Sequence, residues 1–283
     1  MMDVYAENRK RLENAGVTGG EGDLCALIAF ETGLSYGEVR KRLLLSGGCD
    51  AFFEVTDAET IRRINADVDR RLAGEPVQYI TGETDFYGRT FFTAPGVLIP
   101  RFDTECVVDV VLERLRPDGD LLDLCCGSGC IGLTAAICRG ARVTLADVSE
   151  AALELTRKNA AHFGIDARIV RCDVLAERPE GLFDMVVSNP PYIPTRDLAG
   201  LSVEVKNEPV LALDGGEDGL LFYRRIAPSF YDTLRPGGFL VFEVGEGEAS
   251  AVSDILQQCG YRSIDTRRDY GGIERVVFGQ KEF

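Results

Sequence analysis

From about residue 104 onward, short apolar runs alternate with stretches of helical pattern, and no other feature of the chain restricts its fold as much. The runs sit at Leu121–Leu124, Val143–Leu145, Ile169–Val170, Met185–Val187 and Phe239–Val244, with helical stretches such as Ser149 to Phe163 and Leu220 to Leu234 between them. Strands separated by helices of this length imply a parallel sheet covered on both faces. The expectation is an α/β domain. Near the C-terminus, Arg262–Arg268 and Arg275–Gly279 are strand-like and joined by DYGGIE, a link short enough for an antiparallel pair.

The first 75 or so residues follow another pattern. Apolar positions recur at helical spacing in Leu24, Leu27 and Ile28, and again in Val39, Leu43 and Leu44. Two capping boxes, Ser35 to Glu38 and Thr56 to Glu59, precede runs ending near Leu45 and Leu72. Glycines such as Gly16, Gly33 and Gly47 mark the breaks. This region predicts a small bundle of four or five short helices. Residues 74–100 are rich in Gly, Pro, Thr and aromatics, read as a connector with a hairpin of its own, and end in Ile99-Pro100-Arg101. The chain of 283 residues thus divides into a helical bundle over 1–75, a connector over 76–100 and an α/β domain over 101–283.

Leu121 to Gly129 joins a strand to a helix. Gly127 and Gly129 let the backbone turn tightly and approach a ligand, and the helix from about Cys130 points its N-terminus at that ligand. Gly127-Ser-Gly-Cys-Ile-Gly132 formally satisfies a dinucleotide pattern. Asp123 inside the motif would repel phosphate and suit a cationic ligand. Asp147, which ends the next strand, follows the glycines by about 20 residues, the usual spacing for a ribose-binding acid. These residues suit a nucleoside and modestly favour S-adenosylmethionine over a nicotinamide dinucleotide.

Phe183 to Tyr192 is more specific. A buried strand ends at Ser188 and runs at once into Asn189-Pro190-Pro191-Tyr192. Ligands of open parallel sheets bind beyond the carboxyl ends of the strands, which places this tetrapeptide in a site. Each proline holds its predecessor extended and lacks an N–H, so the loop presents carbonyl acceptors. Asn189 adds a side-chain acceptor, and Tyr192 a flat face. Together they suit a planar –NH2 group, whose nitrogen is a poor nucleophile until acceptors on its hydrogens raise its electron density.

Composition removes other chemistries. A single histidine, His162, and nine cysteines with no Cys-x-x-Cys spacing give little basis for a metal site or a histidine relay. A net charge of −15 disfavours extended phosphate-backbone binding. No apolar run approaches the roughly 20 residues of a membrane span, and the N-terminus lacks an export pattern. Reduced thiols in cytoplasm are the expectation.

With these motifs in place, the sequence resembles the class I S-adenosylmethionine-dependent methyltransferases, and among them the protein-(glutamine-N5) methyltransferases that modify peptide chain release factors. The resemblance covers nearly the whole chain. It is carried by Glu75 to Ile80, Phe86 to Gly88, Val97 to Arg101, Asp103 to Glu105, Asp123 to Gly129, Asn189 to Tyr192 and Asn207 to Leu220. It implies a mostly parallel seven-stranded sheet with an antiparallel last strand, and an N-terminal bundle that helps to hold the protein substrate. It implies methyl transfer from S-adenosylmethionine, leaving S-adenosylhomocysteine, to a glutamine in a Gly-Gly-Gln loop of class I release factors, with no metal. By position, Cys125, Cys126, Gly127, Ser128 and Gly129 would contact the cofactor, Asp147 its ribose, and Asp173 and Val174 its adenine. Asn189 would touch cofactor and substrate, and Pro190, Pro191 and Tyr192 the substrate. The chain departs from the family at Cys125, usually glycine, at Phe102 and Asp103, usually Pro and Glu, and at Val174, often aromatic. A ribosomal-protein glutamine or a nucleic-acid adenine N6 would suit the same loop chemistry. The basic clusters Arg9–Arg11, Arg40–Arg42 and Arg62–Arg63 read as solvated helix faces or, more sharply, as contacts to the release factor.

Overall fold

Alternate residues of the central strands enter two different hydrophobic clusters, which is what burial on both faces requires of a period-two structure. Leu121, Met185, Val187 and Val241 pack in one cluster, and Leu122, Val186, Leu240 and Phe242 in the other. The computed structural model describes residues 4–45 and 57–282. The chain divides into two compact units, Met1–Gly82 with Val203–Asn207, and Glu83–Ser202 with Glu208–Phe283.

The first unit holds α1 (Val4–Asn14), α2 (Gly20–Thr32), α3 (Tyr36–Leu45), α4 (Ala58–Leu72) and the short α5 (Val77–Thr81). Leu12, Leu24, Leu27, Ile28, Val39, Leu43, Ile64, Val68 and Ile80 form its core. Leu44, expected on the apolar side, is 77% exposed. Ser35 accepts from the Glu38 amide at the start of α3. Thr56 lies outside the described residues, and Asp57 caps α4 by accepting from the Glu59 and Thr60 amides. Residues 77–81, read from sequence as connector, form α5. Pro76 stands at its N-cap, and Ile80 packs into the helical core.

The second unit begins with the hairpin β1 (Glu83–Phe86) and β2 (Arg89–Phe92). Then follow α6 (Glu105–Arg114), β3 (Asp120–Leu124), α7 (Cys130–Arg139), β4 (Arg142–Asp147), α8 (Glu150–Phe163), β5 (Arg168–Arg171) and β6 (Phe183–Ser188). The chain closes with α9 (Leu221–Phe230), β7 (Leu234–Glu243), α10 (Ala249–Gln258), β8 (Arg262–Arg268) and β9 (Glu274–Gln280). The seven strands run in the order β5-β4-β3-β6-β7-β9-β8, with β9 antiparallel to both neighbours and the other pairs parallel. From β3 the chain builds outward through β4 and β5, then returns to place β6 on the other side of β3. The β3/β6 boundary is therefore the topological switch point, where an open α/β sheet leaves a crevice for ligand.

Candidate active site

Both informative loops leave the sheet at this switch point. Leu124 pairs with Ser188, and the Ser188 hydroxyl donates to the Leu124 carbonyl at 2.9 Å, so the two loops start side by side.

The turn after β3 is shaped by backbone geometry. Cys125, Gly127 and Gly129 all have positive φ, 55°, 55° and 80°. A left-handed Cys125 is uncommon for a residue with a Cβ, and a glycine there would carry no such strain. Gly132 serves packing, because a Cβ on it would stand 2.3 Å from Leu145 Cδ2. The Gly127 carbonyl accepts from Thr156 Oγ1 at 2.8 Å and the Ser128 carbonyl from Asn159 Nδ2 at 3.0 Å. Asp147, at the end of β4, accepts from the Gly127 amide and from the Ser149 amide, each at 2.9 Å. Ser149 is the N-cap of α8, so that role does not fall to Asp147. Burial raises the Asp147 carboxyl above its usual range.

A cavity of about 230 Å³ opens beside this turn. Cys125, Cys126, Gly127, Ser128, Asp147, Asp173, Val174, Asn189 and Pro191 line it, whereas Gly129, Pro190 and Tyr192 do not. Asp123 does not line it either, so the sequence argument that this carboxylate faces the ligand is not met. Asp123 is instead 1% exposed and accepts from the Gly132 amide of α7 at 2.9 Å. Its Oδ1 has no hydrogen-bond partner among the described residues, and burial pushes it up to about 7. Burial also raises the Cys125 and Cys126 thiols, which suits packing and opposes thiolate chemistry. His162 packs its ring 4.9 Å from Phe92 and 4.8 Å from Phe163 and is absent from the cavity wall.

The sequence reading missed one wall. Val97, Ile99, Arg101 and Thr104 line the cavity, and Glu208, Pro209, Leu211 and Phe222 support or complete it. Glu208 is 4% exposed. It accepts from the Ile99 amide at 3.0 Å and forms an ion pair with Arg101. The motifs Val97 to Arg101 and Asn207 to Leu220 carried the signal, but a buried carboxylate joining them is invisible in either segment alone. The basic wall residue Arg101 is neutralised by Glu208, while Asp147 and Asp173 are acidic. This lining suits a nucleoside with a positive centre better than a row of phosphates.

The loop after β6 is braced from a distance. Ile193 donates to the Leu213 carbonyl at 2.9 Å, and Gly215 donates back to the Ile193 carbonyl at 2.8 Å. A Cβ on Gly219 would stand 2.4 Å from Glu248 Oε1 and 2.5 Å from the Tyr192 carbonyl oxygen. The Tyr192 ring lies against Gly245, and burial raises its hydroxyl. Phe102 is 65% exposed, with its ring 5.1 Å from that of Tyr270. In the first unit the basic clusters meet acids: Arg11 with Asp69, Arg42 with Glu38 and Arg63 with Glu31. Among the described residues no group of three or more His, Cys, Asp or Glu is placed to hold a metal ion, and no helix is long and apolar enough to cross a membrane.

Known proteins resemble this chain in sequence and in fold. Residues 89–204 match the family described as Methyltransferase small domain, and residues 3–82 match the PrmC N-terminal domain. The chain is 45% identical over 220 residues to a release factor glutamine methyltransferase of Moorella thermoacetica, covering 76% of this chain and 78% of that one. It is 38% identical over 279 residues to another from Agrobacterium fabrum, covering 95% and 93%. Among solved structures it is similar to a methyltransferase from Pyrococcus furiosus, with a TM-score of 0.55, 19% identity and coverage of 77% of this chain and 98% of that one. At that identity the likeness speaks for the fold alone.

Proposed function

The chain belongs to the release factor glutamine methyltransferases, and from that premise we propose how its residues share the reaction. The enzyme transfers a methyl group from S-adenosylmethionine to the side-chain amide nitrogen of a release-factor glutamine. The observation that carries the residue assignment is the juxtaposition, across the β3/β6 switch point, of a glycine-rich turn beside an acidic cavity and a loop of acceptors.

Cys125, Cys126, Gly127, Ser128 and Gly129 form the cofactor turn in this reading. Asp147 accepts the ribose hydroxyls, and Asp173 and Val174 flank the adenine. The acidic wall fits a cofactor whose reacting centre is a sulfonium cation. When bound, S-adenosylmethionine supplies an electrophilic methyl group. Asn189 and the Pro190 carbonyl accept the two hydrogens of the glutamine amide, and Pro191 and Tyr192 complete the substrate side of the loop. An amide lone pair is delocalised toward its carbonyl. Two acceptors on its hydrogens return density to nitrogen and fix the direction of attack. Such acceptors act as soon as substrate docks, because the protein has already oriented them.

The substrate in this reading is the Gly-Gly-Gln loop of a class I release factor, met in the cytoplasm, with the helical unit helping to hold the rest of that protein. A nucleic-acid substrate is disfavoured by the charge of −15 and by the acids paired with the basic clusters. The test is to incubate the enzyme with methyl-labelled cofactor and, separately, release factor, a ribosomal-protein glutamine substrate and DNA, then to locate the label by mass spectrometry. Label on the amide nitrogen of a release-factor glutamine is the expected result. Label on DNA or on the ribosomal substrate, with none on release factor, would overturn the reading.

A further inference from the structure

Beneath Asn189 lies a buried acid that neither the cofactor turn nor the acceptor loop accounts for. Glu243 ends β7 and is 1% exposed. Burying a carboxyl without an ion pair is expensive, and among the described residues Glu243 has no salt-bridge partner within 4.0 Å. The nearby cation Arg275 is engaged elsewhere, with Asp269 at 3.2 Å and with the Val244 carbonyl at 3.2 Å. Phe242, the residue before Glu243, pairs with Ser188, the residue before Asn189, so Glu243 stands beside Asn189 where β7 and β6 end, and its Oε2 has no hydrogen-bond partner among the described residues.

Thr104 is the second residue of this cluster. It closes the short 3-10 turn Phe102–Thr104 that runs into α6, and its side chain makes no capping hydrogen bond. It is 2% exposed, and Asn189 Nδ2 donates to its Oγ1 at 3.3 Å. Thus the residue before α6, the residue after β6 and the last residue of β7 bring three polar side chains together.

The chemistry of that cluster dictates how the Asn189 amide is turned. An ionised carboxylate only accepts, so Asn189 can face it only with its –NH2 end. The reverse orientation would set Oδ1 against the carboxylate and leave both amide hydrogens without these partners. With Nδ2 donating to Thr104 Oγ1, Oδ1 is the atom left for the cavity that Asn189 lines. An acceptor there is what an incoming –NH2 group needs. We propose that Glu243 is a positioning residue for methyl transfer, its buried carboxylate beside Asn189 keeping that amide with its nitrogen inward, on Thr104, and its oxygen toward the substrate. The inference rests on the reading of Asn189 given above. Burial raises the Glu243 carboxyl to about 7, so its demand for a donor from Asn189 is complete above that pH, where the carboxyl is ionised.

The test uses full-length enzyme, release factor and S-adenosylmethionine, with Glu243→Ala made in the wild-type and Asn189→Ala backgrounds. Losing a preorganised acceptor lowers kcat by about 10²-fold, while KM for both substrates stays close to wild type. In the Asn189→Ala background the same change has almost no further effect, because residues acting as a unit are not additive. Glu243→Gln, which keeps the shape and one acceptor, restores most of the loss. Thr104→Val lowers kcat by about tenfold with KM unchanged, and supplies the test if Glu243→Ala does not fold. Wild-type kcat in Glu243→Ala or in Thr104→Val, or a loss that multiplies fully in the double variant, would overturn the inference. If the wild-type enzyme leaves release factor unmethylated, the reading of the site falls and the inference falls with it. If wild type is active and Glu243→Ala is equally active, the inference falls alone.

Discussion

The turn Cys125–Gly129 and the loop Asn189–Tyr192 leave adjacent strands at the same level, yet they are held in opposite ways. The turn keeps its shape through positive-φ backbone and close neighbours: Asp147, Thr156 and Asn159, all within the next β-strand and helix. The loop is rigid in its two prolines, but everything that aims it comes from far along the chain. Leu213 and Gly215 hold Ile193, Thr104 accepts from Asn189 with Glu243 alongside, and Gly245 admits the Tyr192 ring. Cradling a nucleoside is a matter of backbone shape, which local sequence can encode. Pointing an acceptor at an –NH2 group needs a particular atom in a particular orientation, which takes contacts from several elements.

The comparison breaks most visibly at Asn189. Asn189→Ala should lower kcat by about 10³-fold, the scale of losing a preorganised transition-state contact. Its thermal midpoint should stay close to wild type, as a scan in parallel with the kinetics will show. Next in size is Gly219→Ala, which places a Cβ 2.5 Å from the Tyr192 carbonyl at φ 82°. It should destabilise the protein by about 2 kcal/mol in urea unfolding and slow turnover through the loop it braces. On the cofactor side, Asp147→Asn should weaken S-adenosylmethionine binding about tenfold by calorimetry, equivalent to about 1.4 kcal/mol.

A smaller effect sharpens the account of Asp123. Its folded carboxyl titrates at about 7, against roughly 3.9 when unfolded. The unfolded chain therefore ionises first, and stability falls as pH rises from about 4 to about 7. Asp123→Asn removes that slope, so its stability advantage over wild type should be larger at pH 8 than at pH 5. Equal gaps at both pH values would count against a raised carboxyl. Smallest is Cys125→Gly, which relieves a left-handed Cβ but adds unfolded-state entropy. The opposing terms leave a gain of at most about 1 kcal/mol, and a clear loss in unfolding midpoint would show that the thiol packs more usefully than its backbone suggests.

How much of this was legible beforehand follows the same division. The strands could be read because burial on both faces leaves apolar runs such as Leu121–Leu124 and Met185–Val187. The two loops were readable because glycines and prolines state their backbone demands locally. Asp123 misled, since a carboxylate next to a ligand loop and one that anchors a helix amide look alike in sequence. Residues 77–81 read as connector because five residues carry too little periodicity to announce a helix; tertiary packing of Ile80 supplies what the pattern lacks. Glu208 and Glu243 were invisible as site residues. Each derives its role from being buried beside a segment more than 50 positions away, Ile99 for one and Asn189 for the other.

One measurement tests the division between the two loops most directly: the single-turnover rate of methyl transfer to release factor as cofactor is raised to saturation. Asp147→Asn should recover a rate near wild type once cofactor is in excess, because its defect is in binding. Asn189→Ala should remain slow at every cofactor concentration, because its defect is in the reacting geometry. An Asn189→Ala enzyme restored to wild-type rate by excess cofactor would contradict the account.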